Sequence, residues 1–173
     1  MNADDLRALQ APLKARYRDH PEAAVITLKA EGKIDAADVA CSVETGRAMV
    51  TAGLHPAGGG TGLLACSGDM LLQALVACAG VTLKAVATAL GIDLRDARVR
   101  AQGDIDMRGT LGVDRAAPVG FRSIRLAFDI DSDAAPEALD KLLALTERYC
   151  VVYQTLTRTV PVTISRYGPS AAA

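Results

Sequence analysis

Residues 69–90 are built largely from Ala, Leu and Val, and Gly91 follows them directly. A helix of that composition is apolar on nearly every side, so most of it must be covered. Gly91 is its natural stop, because glycine accepts the left-handed backbone of a C-terminal cap. Gln73, Thr82 and Lys84 interrupt the stretch, leaving it short of the ~18 uninterrupted apolar residues of a membrane span. The expected element is therefore a buried central helix. With 173 residues, 50% of them hydrophobic, the chain has enough material for one core and one domain.

The segments around this helix alternate between two periods. Leu6, Leu9, Leu13 and Tyr17 recur at helical spacing, which predicts an amphipathic helix over residues 1–21, stopped at Pro21. Residues 24–30 and 39–43 alternate apolar and polar residues and are expected as strands, followed by a flexible glycine-rich loop over 53–62. Val99, Ala101, Ile105 and Met107 alternate with charged or polar neighbours, as do Ile124, Leu126, Phe128 and Ile130. These two strands should pair antiparallel with one wet face. Pro136 opens a helix that puts Leu139, Leu142, Leu143, Thr146 and Cys150 on one face. Val160, Val162 and Ile164 read as a last strand, and residues 168–173 as a disordered tail. The sum is a mixed α/β (α+β) domain over 22–167, with antiparallel sheet around the buried helix.

Charge and composition remove several functions. Nineteen Lys and Arg against twenty Asp and Glu give a net charge of −1, so no broad field draws the chain to nucleic acid or to an anionic membrane. Two phenylalanines, four tyrosines and no tryptophan leave little for stacking bases. The acidic start Met-Asn-Ala-Asp-Asp differs from a secretory signal, and the expected location is cytoplasmic. Cysteines at 41, 66, 78 and 150 form no C-x-x-C pair, and neither histidine has a second ligand within four residues, so neither a metal nor a cofactor is expected.

Gly60-Thr61-Gly62-Leu63-Leu64-Ala65 spells a dinucleotide fingerprint, but it lies in a loop and finds Gly80, not an acid, twenty residues on. His55, Cys78 and Asp69 could be arranged as a hydrolase triad, although a histidine beside Pro56 reads as an ordinary turn residue. Cys41 reads as a core residue. Cys66 lies just before the central helix, where backbone N–H groups can favour a thiolate. Cys78 shares a face with Ala74, Leu75, Val81 and Ala85, which leaves packing and chemistry both open.

The run Asp69-Met-Leu-Leu-Gln-Ala-Leu-Val-Ala-Cys78-Ala-Gly-Val-Thr, with Cys150-Val-Val-Tyr-Gln-Thr-Leu156, resembles the OsmC/Ohr family, the osmotically inducible and organic-hydroperoxide-resistance proteins. The second run is similar to the family's Cys-Pro-Val-x-Gln-x-Leu, kept here at Cys150, Val152, Gln154 and Leu156. The resemblance implies an OsmC-like fold, an intertwined homodimer with sites near the subunit interface, and a thiol peroxidase. Cys78 would be peroxidatic, Cys150 would resolve it as a disulfide, and a thiol or lipoyl-type reductant would reopen that bond. Organic hydroperoxides would be preferred over hydrogen peroxide.

Two positions depart from the family. Val151 stands where the best-known members have the proline that breaks the helix. Asp69 lies nine residues before Cys78, where the peroxidases carry their acid ten before. Nine residues place Asp69 about 180° from Cys78 around a helix, so it reads either as a catalytic partner or as a helix-start residue. A buried thiol needs a cation to ionise, and Arg47 is the nearest upstream one, either activating Cys78 or solvated at the surface. The alternative function is a non-catalytic protein of this fold that binds a small hydrophobic molecule at the dimer interface.

Overall fold

The computed structural model describes residues 2–20, 32–34, 40–44 and 49–166. In chain order the elements are α1 (Ala3–Asp19), β1 (Gly32–Ile34), β2 (Ala40–Glu44), β3 (Met49–Gly53), β4 (Ala65–Cys66), α2 (Ser67–Leu90), β5 (Asp96–Ile105), α3 (Met107–Thr110), β6 (Phe121–Asp131), α4 (Pro136–Tyr149) and α5 (Val151–Thr157). A 3-10 turn over Pro56–Gly58 joins β3 toward β4. Strands β1 to β4 form one sheet in sequence order, and β5 with β6 a second, two-stranded one. The expected strand at 24–30 and the tail at 168–173 lie outside the described residues.

The helix expected over 69–90 runs from Ser67 to Leu90 and ends as its sequence requires. Gly91 takes φ 69°, ψ 24°, and the Ile92 and Gly91 N–H groups reach back to the carbonyls of Ala87 (2.9 Å) and Thr88 (3.2 Å). This is the doubly bonded glycine cap, and it turns Ile92 onto the core. By length and composition alone the helix could cross a membrane. Here it packs on α1, α4, α5 and β5 instead.

The burial of α2 is a stripe and not a sleeve. Leu75, Ala79, Leu83 and Ala87, spaced four apart, are at most 2% exposed. Val81 on another side is 73% exposed. Leu83 and Ala87 meet Leu142 of α4, with Phe128, Ile130 and Leu139 closing around them. The smallness of Ala79 and Ala87 on this stripe suits the close approach of neighbouring elements.

Strands β5 and β6 pair antiparallel, with Val99 opposite Phe128 and Ala101 opposite Leu126. Their polar residues make the wet face, where Arg125 bridges Asp104 and Arg100 reaches Asp129 at 3.3 Å. Several elements differ from expectation: β3 and α5 are not among the expected ones, and Met107, expected in the strand with Val99, opens α3 after β5 ends at Ile105. Beyond the glycine-rich stretch comes β4, a two-residue strand parallel to β3 that pairs Ala52 with Ala65. No strand forms at 161–166, where Val162 and Ile164 are 84% and 97% exposed. Alternation supplies an apolar face, but a strand also needs a neighbouring edge to take its N–H and C=O groups.

Candidate active site

Cys78 sits mid-way along α2, one turn before Thr82, whose hydroxyl donates to the Cys78 carbonyl at 2.8 Å. Cys150 stands between α4 and α5, ending one and capping the other with an extended backbone, φ −74°, ψ 108°. Thr146 and Leu142, one and two turns earlier on the buried face of α4, set its side chain inward. Cys150 is 1% exposed, while Cys78 is half-buried. Cys78 and Cys150 lie close enough for each to bear on the other's ionisation.

Their surroundings push the two thiols apart in acidity. Burial drives Cys78 up from the ordinary 9.0, but the backbone N–H of Val152, the Cys150 thiol, the N–H of Val151 and the Thr82 hydroxyl together outweigh it, so the net direction is down. Burial drives Cys150 up as well. The Tyr153 and Val152 N–H groups only partly oppose this, and the neighbouring Cys78 adds to the rise. A thiolate is the nucleophile in sulfur chemistry, so the pair consists of one thiol favoured to attack and one held protonated as a donor.

The donors come from the break between the helices. The Cys150 N–H closes the last bond of α4 on Thr146 (2.9 Å), and the Gln154 N–H opens α5 on Cys150 (2.9 Å). The N–H groups of Val151 and Val152 lie between those two bonds and face sulfur. The proline usual after this cysteine is not needed for the break, since Val151 begins α5 all the same.

The other candidate residues lie elsewhere. Asp69, in the first turn of α2, lines a cavity of about 260 Å³ with His55, Cys66 and Phe121. His55 uses Nδ1 to accept the Ala57 N–H at 3.0 Å, ordering its own turn. Asp69 and His55 thus sit with Cys66 and not beside Cys78. Arg47 lies outside the described residues, as does the side chain of Cys41. Among the described residues no cluster of His, Cys, Asp and Glu could hold a metal ion. A second groove, of about 480 Å³, runs between β6 and α5, lined by Leu75, Phe128, Tyr153, Leu156 and also by Arg122 and Glu147.

Residues 60–165 match the family model described as OsmC-like protein. The chain belongs to the OsmC-like family. Both thiols fall inside the matched span. Solved structures agree on the fold. An OsmC-like protein of Mycoplasma pneumoniae superposes with a TM-score of 0.64 at 16% identity, over 76% of this chain and 88% of that one. The organic hydroperoxide resistance protein OsmC of Legionella pneumophila gives 0.60 at 17%, over 77% and 90%. An organic hydroperoxide resistance protein of Elizabethkingia anophelis gives 0.60 at 18%, over 78% and 90%. No curated protein sequence matches the chain.

Two contributors to this OsmC-like site escaped the sequence reading. The Val151 and Val152 backbone donors carry no side-chain signal, and Thr82 reads as an ordinary interruption of an apolar helix. The family motif did point at Gln154, without saying what it touches.

Proposed function

We propose that this OsmC-like protein is a cysteine-based thiol peroxidase acting on organic hydroperoxides. The observation that carries this reading is the contact between Cys78 and Cys150 with opposite directions of acidity. The Cys78 thiolate attacks one oxygen of the hydroperoxide, the O–O bond breaks, and the alcohol leaves after taking a proton. Cys78 is then a sulfenic acid. Cys150 attacks its sulfur, water leaves, and a disulfide forms. A dithiol of small-molecule or lipoyl type returns two electrons and two protons to reopen it, which suits a reducing, cytoplasmic setting.

The groove of about 480 Å³ supports an organic substrate, since burying its tail contributes ~25 cal/mol per Å². Hydrogen peroxide has no tail to bury. Arg47 is proposed as a further cation for the thiolate, and Asp69, in the first turn of α2 beside the Cys66 cavity, as a helix-start residue. The open side of α2 at Val81 and the exposed Val162 and Ile164 support a homodimer, in which a second copy covers this surface.

The test is one equivalent of cumene hydroperoxide on reduced protein, followed by peptide mass mapping. A Cys78–Cys150 disulfide is expected, with Cys66 still free. Absence of that disulfide, with peroxide consumed no faster than by free thiol, would move the reading to a hydrophobic-ligand binder.

A further inference from the structure

Breaking a helix frees both donors and acceptors, and here the two sets can be followed atom by atom. In a continuous helix the Val151 N–H would donate to the carbonyl of Glu147, four residues back. That carbonyl is already taken, because Gln154 Nε2 donates to it at 2.7 Å. The Gln154 backbone N–H meanwhile donates to the Cys150 carbonyl at 2.9 Å, so one residue anchors both sides of the junction.

We propose that Gln154 is a positioning residue that occupies the Glu147 carbonyl, keeps the helix open after Cys150, and so leaves the Val151 N–H for the Cys78 sulfur. Left without the amide, the Glu147 carbonyl is the acceptor that a continuous helix assigns to the Val151 N–H, and it competes with sulfur for that donor. The side-chain amide removes that pull. It does the work usually given to a proline at the same place, with a difference: proline has no N–H, whereas Val151 keeps one to offer. The inference rests on Cys78 being the thiol that ionises, but not on peroxide being its substrate.

The experiment is the pH profile of Cys78 alkylation by iodoacetamide, read by mass mapping on the full chain. The variants are Gln154→Met, Val151→Pro and the two combined. Gln154→Met has nearly the same size and no donor. Val151→Pro should be accommodated, because proline suits the first residue of a helix and Cys150 already has the extended backbone that precedes one. Each single change should raise the Cys78 midpoint by about one pH unit, reading as roughly tenfold slower alkylation at neutral pH. Once proline has removed the N–H, Gln154→Met should add almost nothing.

A Gln154→Met protein that is less stable but keeps the native midpoint would overturn the proposal. So would a shift equally large with and without Val151→Pro. Gln154→Asn, whose shorter arm stops short of Glu147, gives the same readout should the methionine variant not fold. No peroxidase turnover by the unsubstituted protein, with these shifts intact, would count against the enzyme reading alone.

Discussion

Cys150 and Cys78 each bear on the other's ionisation, and the two thiols are displaced in opposite directions from 9.0. The near-complete burial of Cys150 and the backbone donors around Cys78 create a donor and an acceptor from two identical side chains.

The first expected outcome concerns which thiol reacts. Cys78 ionises below 9.0 and Cys150 above it, so Cys78 should alkylate first as the pH rises. Its rate should fall again as the pH drops through its own midpoint. Mass mapping after brief labelling at pH 6, 7.5 and 9 checks the order, and equal labelling at pH 7.5 would contradict it.

Cys150→Ala removes a donor from the Cys78 sulfur and should raise its midpoint, slowing alkylation at neutral pH by about tenfold. Under hydroperoxide the same variant should oxidise once and then pass to sulfinic acid, seen as a gain of two oxygens on the Cys78 peptide. Cys78→Ser should abolish turnover altogether.

Asp69 and Arg47 can be separated by one pair of profiles. Asp69 lines the cavity of Cys66, so Asp69→Ala should leave the Cys78 midpoint in place while Arg47→Ala raises it. The reverse result would assign the acid to the Cys78 site and remove the cation.

Leu142 is fully buried at the meeting of α2 and α4. Leu142→Ala should cost about 2–5 kcal/mol in chemical denaturation, as cavity-forming changes in cores do. A loss below 1 kcal/mol would mean that this contact is not the centre of the core.

A β-carbon at Gly103 would lie 2.4 Å from Cε1 of Phe121, a contact no side chain tolerates. Gly103→Ala should therefore displace the Phe121 ring and destabilise the protein by about 1–3 kcal/mol. Because Phe121 borders both the Cys66 cavity and the groove between β6 and α5, near-ultraviolet circular dichroism should also change.

Much of this was written plainly in the chain. The extent of α2 follows from its apolar run and Gly91, and the β5–β6 pair from strict alternation. The inward face of α4 follows from the spacing of Leu142, Thr146 and Cys150. What stayed hidden was whatever depends on a second surface. Val160, Val162 and Ile164 have the pattern of a strand and no ladder, because pattern cannot name the edge it would join. The two-residue β4 is shorter than any period can register. The break after Cys150 was invisible for another reason: its usual mark is a proline, and here a glutamine four residues later takes up the freed carbonyl.

That break also makes the backbone a witness to the thiols. The Val151 and Val152 amides favour the Cys78 thiolate, and Val152 acts on Cys150 as well, so their protection from solvent exchange should follow the charge on Cys78. In the reduced protein they should exchange slowly above the Cys78 midpoint. After a disulfide removes that charge they should exchange faster, while the amides of Cys150 and Gln154, bonded to carbonyls, stay as they were. Two neighbouring peptide groups would then report the electron count of the site with no label and no substrate.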